Sequence, residues 1–436
     1  MSQRAKFILS QDRRHAPSYY HATLKYQDVY PPLTEGKDCD VCVIGGGFTG
    51  LSAALHLRQK GYRVILLEAH KIGWGASGRN GGQVGSGQRV DQISLEKIVG
   101  MERAKVLWDL AEESKQLVRD LIAKYNIDCD LKSGVLHTAH KARYYPEYVR
   151  EAEHLNKVYG YDKIRAVDAD EVAGMLGMRT YHGGTLDLGA AHLHPLNLAL
   201  GVARACAAEG AELHESSPVT DYTEAQGKIH LTTPQGHVTA TEMVVACNGY
   251  LGELVPELAG KIMPINNFIV ATEPLGEARA RTINRDDVAV ADSKFVINYF
   301  RMSPDHRLLF GGGENYSSRF PEDIASFVRK YMLQIYPSLE DVKIDYAWGG
   351  TLAITLNRLP HFGRLGKHIY YAQGYSGHGV ALAHLGGKLI AEAISGTRER
   401  FDVMADLPTY SFPGGRMLRT PLLALGMMYY ALRDRI

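Results

Sequence analysis

The segment GWGASGRNGGQ, Gly73 to Gln83, sets five glycines around Ser77, Arg79 and Asn80. A hydroxyl, a guanidinium and a carboxamide on so bare a backbone are donors suited to a phosphate or a polar cofactor. Glycine is costly to order, so it is kept where φ must be positive or where something must approach the main chain closely. Taken alone, the composition fits a flexible linker equally well. Upstream stands a second group, Gly45, Gly47 and Gly50, in the spacing Gly-x-Gly-x-x-Gly, with Glu68 further on. There the first glycine permits a tight turn, the second leaves room for a pyrophosphate, and the third lets a helix pack closely. The acid accepts hydrogen bonds from ribose hydroxyls. The chemistry implied is dinucleotide recognition at a helix N-terminus.

The elements needed to position these groups are legible around them. Val41 to Ile44 is a short apolar run that suits a strand buried on both faces. Leu51, Ala54 and Leu55 then recur at helical spacing, Gly61 supplies a stop, and Val64 to Leu67 is apolar again. This is a βαβ unit, with Glu68 at the end of its second strand. It leaves FAD and NAD both open. The Gly73 to Gln83 loop follows within a few residues and is placed to wrap the far end of a long dinucleotide.

That second loop is a feature of FAD enzymes of the glycine oxidase, sarcosine oxidase and D-amino acid oxidase superfamily, and the sequence resembles them over most of its length. EMVVACNG, residues 242–249, resembles the strand and turn that return to the adenine side, with Val219 in SPVTDY as a contact from the neighbouring strand. QGYSGHGVALAHLGGKLIAEAI resembles the closing motif, in which Gly377, His378, Gly379 and Val380 open a helix aimed at the flavin's pyrimidine oxygens. The resemblance implies noncovalent FAD held by Gly45, Gly47, Phe48, Thr49, Gly50, Glu68, Ala69, Gly75, Ser77, Gly78, Arg79, Asn80, Gly81, Val219, Ala246 and Gly377 to Val380. SYYHAT, GASGRNGGQ, HLHP and the ending FPGGRMLRTPLLALGMMYYALRDRI further resemble the γ-glutamylpolyamine oxidoreductases, γ-glutamylputrescine oxidase among them. The implied reaction oxidises the free primary amine of a γ-glutamylated polyamine to an aldehyde, with loss of ammonia.

Such chemistry asks little of side chains, because the cofactor takes the electrons. Tyr299, Trp348 and Tyr375 are candidates for the wall of an amine pocket, and Arg301 for a distant carboxylate anchor. Ordinary core packing of the aromatics, or a solvated arginine, is the alternative. Where glycine oxidase and D-amino acid oxidase carry an arginine for the α-carboxylate, this chain reads Gly350-Thr351-Leu352-Ala353. A sarcosine or glycine type of oxidase is therefore the less favoured alternative. No cysteine follows Cys247, which removes the covalent flavin link of sarcosine oxidase. The strand aligned with that enzyme's lysine, Leu308 to Gly311, has none, so oxygen and another electron acceptor both stay open.

The expected fold is α/β: a discontinuous Rossmann-like FAD-binding domain over 36–95, 187–255 and 341–404, and an antiparallel sheet with helices over 96–186 and 256–340 as substrate domain. Residues 1–35 form an N-terminal arm and 405–436 a C-terminal tail. MERAKVLWDLAEESKQLVRDLIAKY predicts a long amphipathic helix, and KFVINYFRM and HRLLFGG predict strands of a roof over the flavin. With 436 residues, two interleaved domains are expected, and a formal charge of +1 gives no nucleic-acid footprint. The apolar run near Met1 is too short for a secretory signal. Five cysteines at irregular spacing suit a reducing compartment, so the cytoplasm is expected. Cys39 and Cys42, three apart on a strand, are expected on opposite faces and so unable to pair. His192 and His194 lack partners for a metal site and are expected at a helix entrance with Pro195. TPLLALGMMYYAL is too short to span a bilayer, and is expected to dock on the protein or a partner subunit, with a weak membrane-surface contact as the alternative.

Overall fold

The structure, a computed structural model, describes residues 14–315 and 320–412. Two sheets organise the described residues. In the first, the order runs His361–Leu365, Ile369–Gln373, His237–Val245, Gly36–Ile44, Val64–Leu67, Glu212–His214, with the hairpin Asp221–Ala225 and Lys228–Thr232 added against His237–Val245. From Ile369–Gln373 to Glu212–His214 every pairing along this path is parallel. Parallel strands must be covered on both faces, which explains why Val41–Ile44 and Val64–Leu67 read as unbroken apolar runs and are buried throughout. The helix Phe48–Gln59 makes the crossover between Gly36–Ile44 and Val64–Leu67, and Gly61 follows its end at φ +90°. Against that helix pack Pro195–Ala208 and Gly379–Ile394. Thr49 Oγ1 and the Tyr375 hydroxyl lie 2.7 Å apart where the first and last of these three helices begin.

The second sheet has the order Ile344–Ile354, Met263–Thr272, Leu308–Asn315, Tyr299–Met302, Ala289–Asp292, Lys132–Thr138, Gly184–His192, Gln83–Val84, with Ile164–Val167 also on Gly184–His192. Its pairings are antiparallel except Ala289–Asp292 with Lys132–Thr138, which is parallel. The helix Met101–Tyr125 covers the predicted span, with Ala104, Leu107, Ala111, Leu117, Val118 and Leu121 on its buried stripe.

Three expectations need correction. Gly184–His192 and Ile344–Ile354 belong to the second sheet, so the boundaries at 187 and 341 cut through or precede strands of the other layer. Val219 lies in the loop between Glu212–His214 and Asp221–Ala225, not in a strand. Cys39 and Cys42 share one apolar cluster. The amides of Asp40 and Val41 both donate to the Arg63 carbonyl, at 3.0 and 3.1 Å, and this kink breaks the two-residue alternation. Both are free thiols, and burial pushes Cys39 up to about 12. The second sheet is antiparallel as expected, apart from the pairing of Ala289–Asp292 with Lys132–Thr138. The segment TPLLALGMMYYAL lies outside the described residues.

Candidate active site

Three parallel strands end side by side, at Ile44, Leu67 and Val245, and the chain turns away from each to leave a crevice at their carboxyl ends. It opens into a cavity of about 1180 Å³, lined by Gly45, Gly47, Glu68, Ala69, Gly75, Ser77, Arg79, Val219, Ala246 and Trp348 among others. Ordinary small-molecule sites hold roughly 300–1,000 Å³. A long ligand is the better match.

The glycine spacing has a steric cause here. Gly45 has φ +109°, and a Cβ there would stand 2.7 Å from the Ala246 carbonyl oxygen. At Gly47 a Cβ would come 2.9 Å from Ser77 Oγ, and at Gly50 it would collide with the Gly45 carbonyl. Gly47 is the N-cap of Phe48–Gln59 and offers no side chain to its amides. The Phe48 amide donates instead to Ser77 Oγ at 3.0 Å, which ties the helix start to the second glycine loop. Glu68 faces the cavity and is otherwise enclosed by protein. Its Oε2 accepts from the Gly46 amide at 2.7 Å and its Oε1 from the His70 amide at 2.8 Å. Burial outweighs those bonds and pushes the carboxyl up to about 7.

The outer wall is aromatic. Trp74 stacks on His70 at 3.9 Å, carries the Arg79 guanidinium over its ring at 4.3 Å, and meets Tyr250 edge-on at 5.4 Å. Arg79 donates from Nε to the Trp74 carbonyl at 2.6 Å and from Nη1 to the Gly349 carbonyl at 3.0 Å, while its own carbonyl accepts from Trp348 Nε1 at 3.1 Å. It bridges the glycine loop to the second sheet, rather than standing as an open donor.

The remaining expected residues take other places. Asn80 Nδ2 donates to the Ala76 and Ser77 carbonyls, and its Oδ1 accepts from the Gly82 amide, so Asn80 shapes the loop from within. Gly78 packs against the Gly73 carbonyl, and Gly81 against the Tyr299 ring. Phe48 and Thr49 are buried in the first turn of their helix. Gly377, His378, Gly379 and Val380 open the helix Gly379–Ile394, again without a side-chain cap, and His378 Nε2 lies 3.2 Å from the Gly87 carbonyl, away from the large cavity. Burial, then Arg89 and His137, pushes the His378 ring down to about 4.

Among the pocket candidates, Trp348 reaches the cavity wall. Tyr299 is half-buried and donates from its hydroxyl to Asn267 Oδ1. Tyr375 is only 5 % exposed and sits between helices, bonded to Thr49. Arg301 is neither solvated nor at a pocket mouth. It is 2 % exposed, and it donates from Nε to the Gly81 carbonyl at 3.1 Å and from Nη1 to the Met302 carbonyl at 3.3 Å. A residue that braces the glycine loop at Gly81 thus replaces the expected anchor. His194 caps Pro195–Ala208 by accepting from the Asn197 amide, and His192 Nε2 lies 2.8 Å from the Asp287 carbonyl. Among the described residues no cluster of histidine, cysteine and acid side chains has the makings of a metal site. The reading from sequence missed Trp74 and Tyr250, and also Arg14 and His15, which line the cavity from the N-terminal arm. The tryptophan inside a glycine loop was the available signal for the first; the arm carried none.

Residues 40–393 match the family of FAD dependent oxidoreductases (DAO). The chain belongs to that family. It is 43 % identical over 423 residues to gamma-glutamylputrescine oxidoreductase of Escherichia coli K12, covering 97 % of this chain and 99 % of the relative. It is 40 % identical over 428 residues to a probable oxidoreductase of Haemophilus influenzae, covering 97 % of this chain and 98 % of that one. The crystal structure of glycine oxidase from Geobacillus kaustophilus shares the fold at TM-score 0.69 and 20 % identity, over 82 % of this chain and 95 % of that chain. The flavoenzyme uses FAD, and its cavity fits that cofactor: the glycine cradle leaves no room for a Cβ, and the Glu68 carboxyl faces the space. Among the described residues no helix is long and apolar enough to cross a membrane.

Proposed function

We propose that the flavoenzyme oxidises the free primary amine of a γ-glutamylated polyamine, such as γ-glutamylputrescine, to the aldehyde in polyamine breakdown. The observation that carries this reading is the 43 % identity across nearly the whole chain to a relative named gamma-glutamylputrescine oxidoreductase. FAD, when bound, would supply the two-electron acceptor for oxidation of the amine to an imine. Water then adds to the imine of the substrate and ammonia leaves. Five free cysteines suit the reducing cytoplasm for this activity.

The cavity supports a substrate whose carboxylate is remote from the reacting amine. Its wall at Gly349 and Thr351 contributes no cation, and the nearby Arg79 guanidinium is engaged by the Trp74 and Gly349 carbonyls. An α-carboxylate buried beside the reacting carbon would lack compensation. A γ-glutamyl group moves that charge several bonds away, where its binding energy still assists the reaction.

Anaerobic flavin bleaching with γ-glutamylputrescine, putrescine, glycine, sarcosine and D-alanine tests the assignment. γ-Glutamylputrescine is expected to reduce the flavin with a kcat/KM well above that of putrescine. Equal efficiency on putrescine, or preference for an α-amino acid, overturns it. We assign oxygen as acceptor, so aerobic turnover should release peroxide in step with aldehyde; flavin reduction without peroxide transfers the role to another acceptor.

A further inference from the structure

The strand Ile369–Gln373 runs parallel to His237–Val245, so its end at Gln373 lies on the same edge of the sheet as the turns at Gly45 and Ala246. Ligands bind along that edge of a parallel sheet. The turn that leaves it, Gly374 to His378, is tied to the cavity wall by the Gly374 amide, which donates to Asn248 Oδ1 at 2.9 Å. His378 is the N-cap of the helix Gly379–Ile394 that follows, but its side chain makes no bond to that helix. Its Nε2 donates instead to the Gly87 carbonyl at 3.2 Å, and its ring lies against Gly85, where a Cβ would stand 2.5 Å from His378 Cε1. Arg89 grips the same turn, donating from Nε to the Ser376 carbonyl at 3.1 Å. The segment 85–89 thus draws the cap side chain away from the helix start. First amides left without a side-chain acceptor can serve the oxygens of a ligand.

The segment is itself held from behind. Ser86, between the two glycines that meet His378, accepts from Lys115 Nζ at 2.5 Å and donates to Asp187 Oδ2 at 2.5 Å. Tyr161 closes a ring: its hydroxyl accepts from Lys115 at 3.0 Å and donates to Asp187 Oδ1 at 2.6 Å. Asp187 Oδ1 also accepts from the Gly189 and Ala190 amides, at 2.9 and 3.1 Å, and Lys115 pairs with Glu112 at 2.8 Å. Lys115 and Asp187 are 4 % and 3 % exposed, burial that charged groups tolerate only when paired. A bonded network of this kind rigidifies what it touches. Here it touches the backbone one residue from each contact with His378.

We propose that His378 and Ser86 are positioning residues for FAD: the buried Lys115–Ser86–Asp187 chain fixes the segment 85–87, that segment keeps the His378 side chain off its own helix, and the amides opening Gly379–Ile394 stay available to the electron-accepting end of the cofactor. The proposal rests on the resemblance of residues 374–380 to the family's closing motif and is independent of the amine oxidised.

Its test compares His378→Asn, His378→Gln and Ser86→Ala in the full-length protein. Asparagine is a strong N-cap and can satisfy the helix amides itself, whereas glutamine is not among the favoured caps and can still offer an N–H to the Gly87 carbonyl. FAD affinity of the apoprotein is read from fluorescence quenching, the midpoint potential of the bound flavin from equilibration with a redox dye, and the melting temperature on the apoprotein. His378→Asn is expected to bind oxidised FAD roughly tenfold more weakly, the loss of one charge-assisted contact. Reduced flavin should lose about a further tenfold, a fall in potential of about 30 mV for two electrons. Its apoprotein should melt no lower than the wild type, and His378→Gln should restore most of the affinity and the potential. Ser86→Ala should shift the potential in the same direction. Wild-type affinity and potential in His378→Asn overturn the proposal, as does a His378→Gln variant no better than His378→Asn. A Ser86→Ala protein that melts lower yet keeps the wild-type potential overturns the role of the network, which then serves stability alone.

Discussion

Replacing Glu68 by Gln tests an ionisable group on the wall of the cofactor cavity. The Glu68 carboxyl has a value of about 7 against an ordinary 4.5, because burial disfavours its charge more than the Gly46 and His70 amides support it. Ribose hydroxyls donate best to the ionised form, so FAD binding to apoprotein should expel a proton and tighten as pH rises through 7. With one proton linked, the ratio of ionised fractions at pH 8 and pH 6 is about tenfold, or about 1.4 kcal/mol. The sign for stability is opposite. A raised carboxyl favours the folded apoprotein below 4.5 and loses that contribution as pH climbs through 7, so the thermal increment given by FAD should grow with pH. Glu68→Gln replaces a charged acceptor by an amide that can serve only one of the two backbone donors. Affinity at pH 8 should fall by about 1.5–3 kcal/mol, ten- to a hundredfold. Its pH dependence should flatten. Titration of apoprotein with FAD by fluorescence quenching at pH 6, 7 and 8 measures both. A wild-type affinity independent of pH, or the same slope in the Gln variant, would falsify the reasoning.

Acid precipitation of the holoenzyme should leave a yellow supernatant, since FAD is expected to be held without a covalent bond; flavin in the pellet would refute this. Gly45→Ala puts a Cβ 2.7 Å from the Ala246 carbonyl at φ +109°, and should cost about 1–2 kcal/mol or more in denaturant unfolding while depleting flavin. Gly81→Val drives a branched side chain into the Tyr299 ring, 2.8 Å from its Cβ position. That variant should purify folded but short of flavin, and full occupancy would count against a cofactor role for the loop. Arg301→Ala leaves the Gly81 and Met302 carbonyls without their donor inside the protein and should lower stability by about 2–4 kcal/mol, with rescue expected to be poor in Arg301→Lys.

Periodic segments were legible because local pattern alone decides them. Val64–Leu67 and Met101–Tyr125 appear as read, since a doubly covered strand and an amphipathic helix each write their burial into successive residues. Which sheet a strand joins is not written that way. Gly184–His192 is buried at all but one position and would look the same in either layer. Arg301 was misplaced because charge argues for solvent, whereas its acceptor at Gly81 comes from a loop 220 residues away. The shared face of Cys39 and Cys42 depends on the Arg63 carbonyl drawing two successive amides, which no strand periodicity announces. Arg14 and His15 stand in a stretch without motif, and long-range bonds made by Tyr19, Lys25 and Leu33, with Trp74 Nε1 donating to the Arg14 carbonyl, hold that stretch in place.

The bond between Thr49 and Tyr375 spans 326 residues of chain. The same helix start is held from one side by the loop at Ser77, and the cradle at Gly45 leans on Ala246. A ribosome making this protein therefore completes the recognisable fingerprint long before it completes the cradle's support. Closing such long loops is a slow step, and an unclosed parallel sheet exposes apolar surface while it waits. Full support of the cradle waits on the emergence of Tyr375 and the helix Gly379–Ile394. A cradle assembled from such distant segments ties FAD binding to a nearly complete fold.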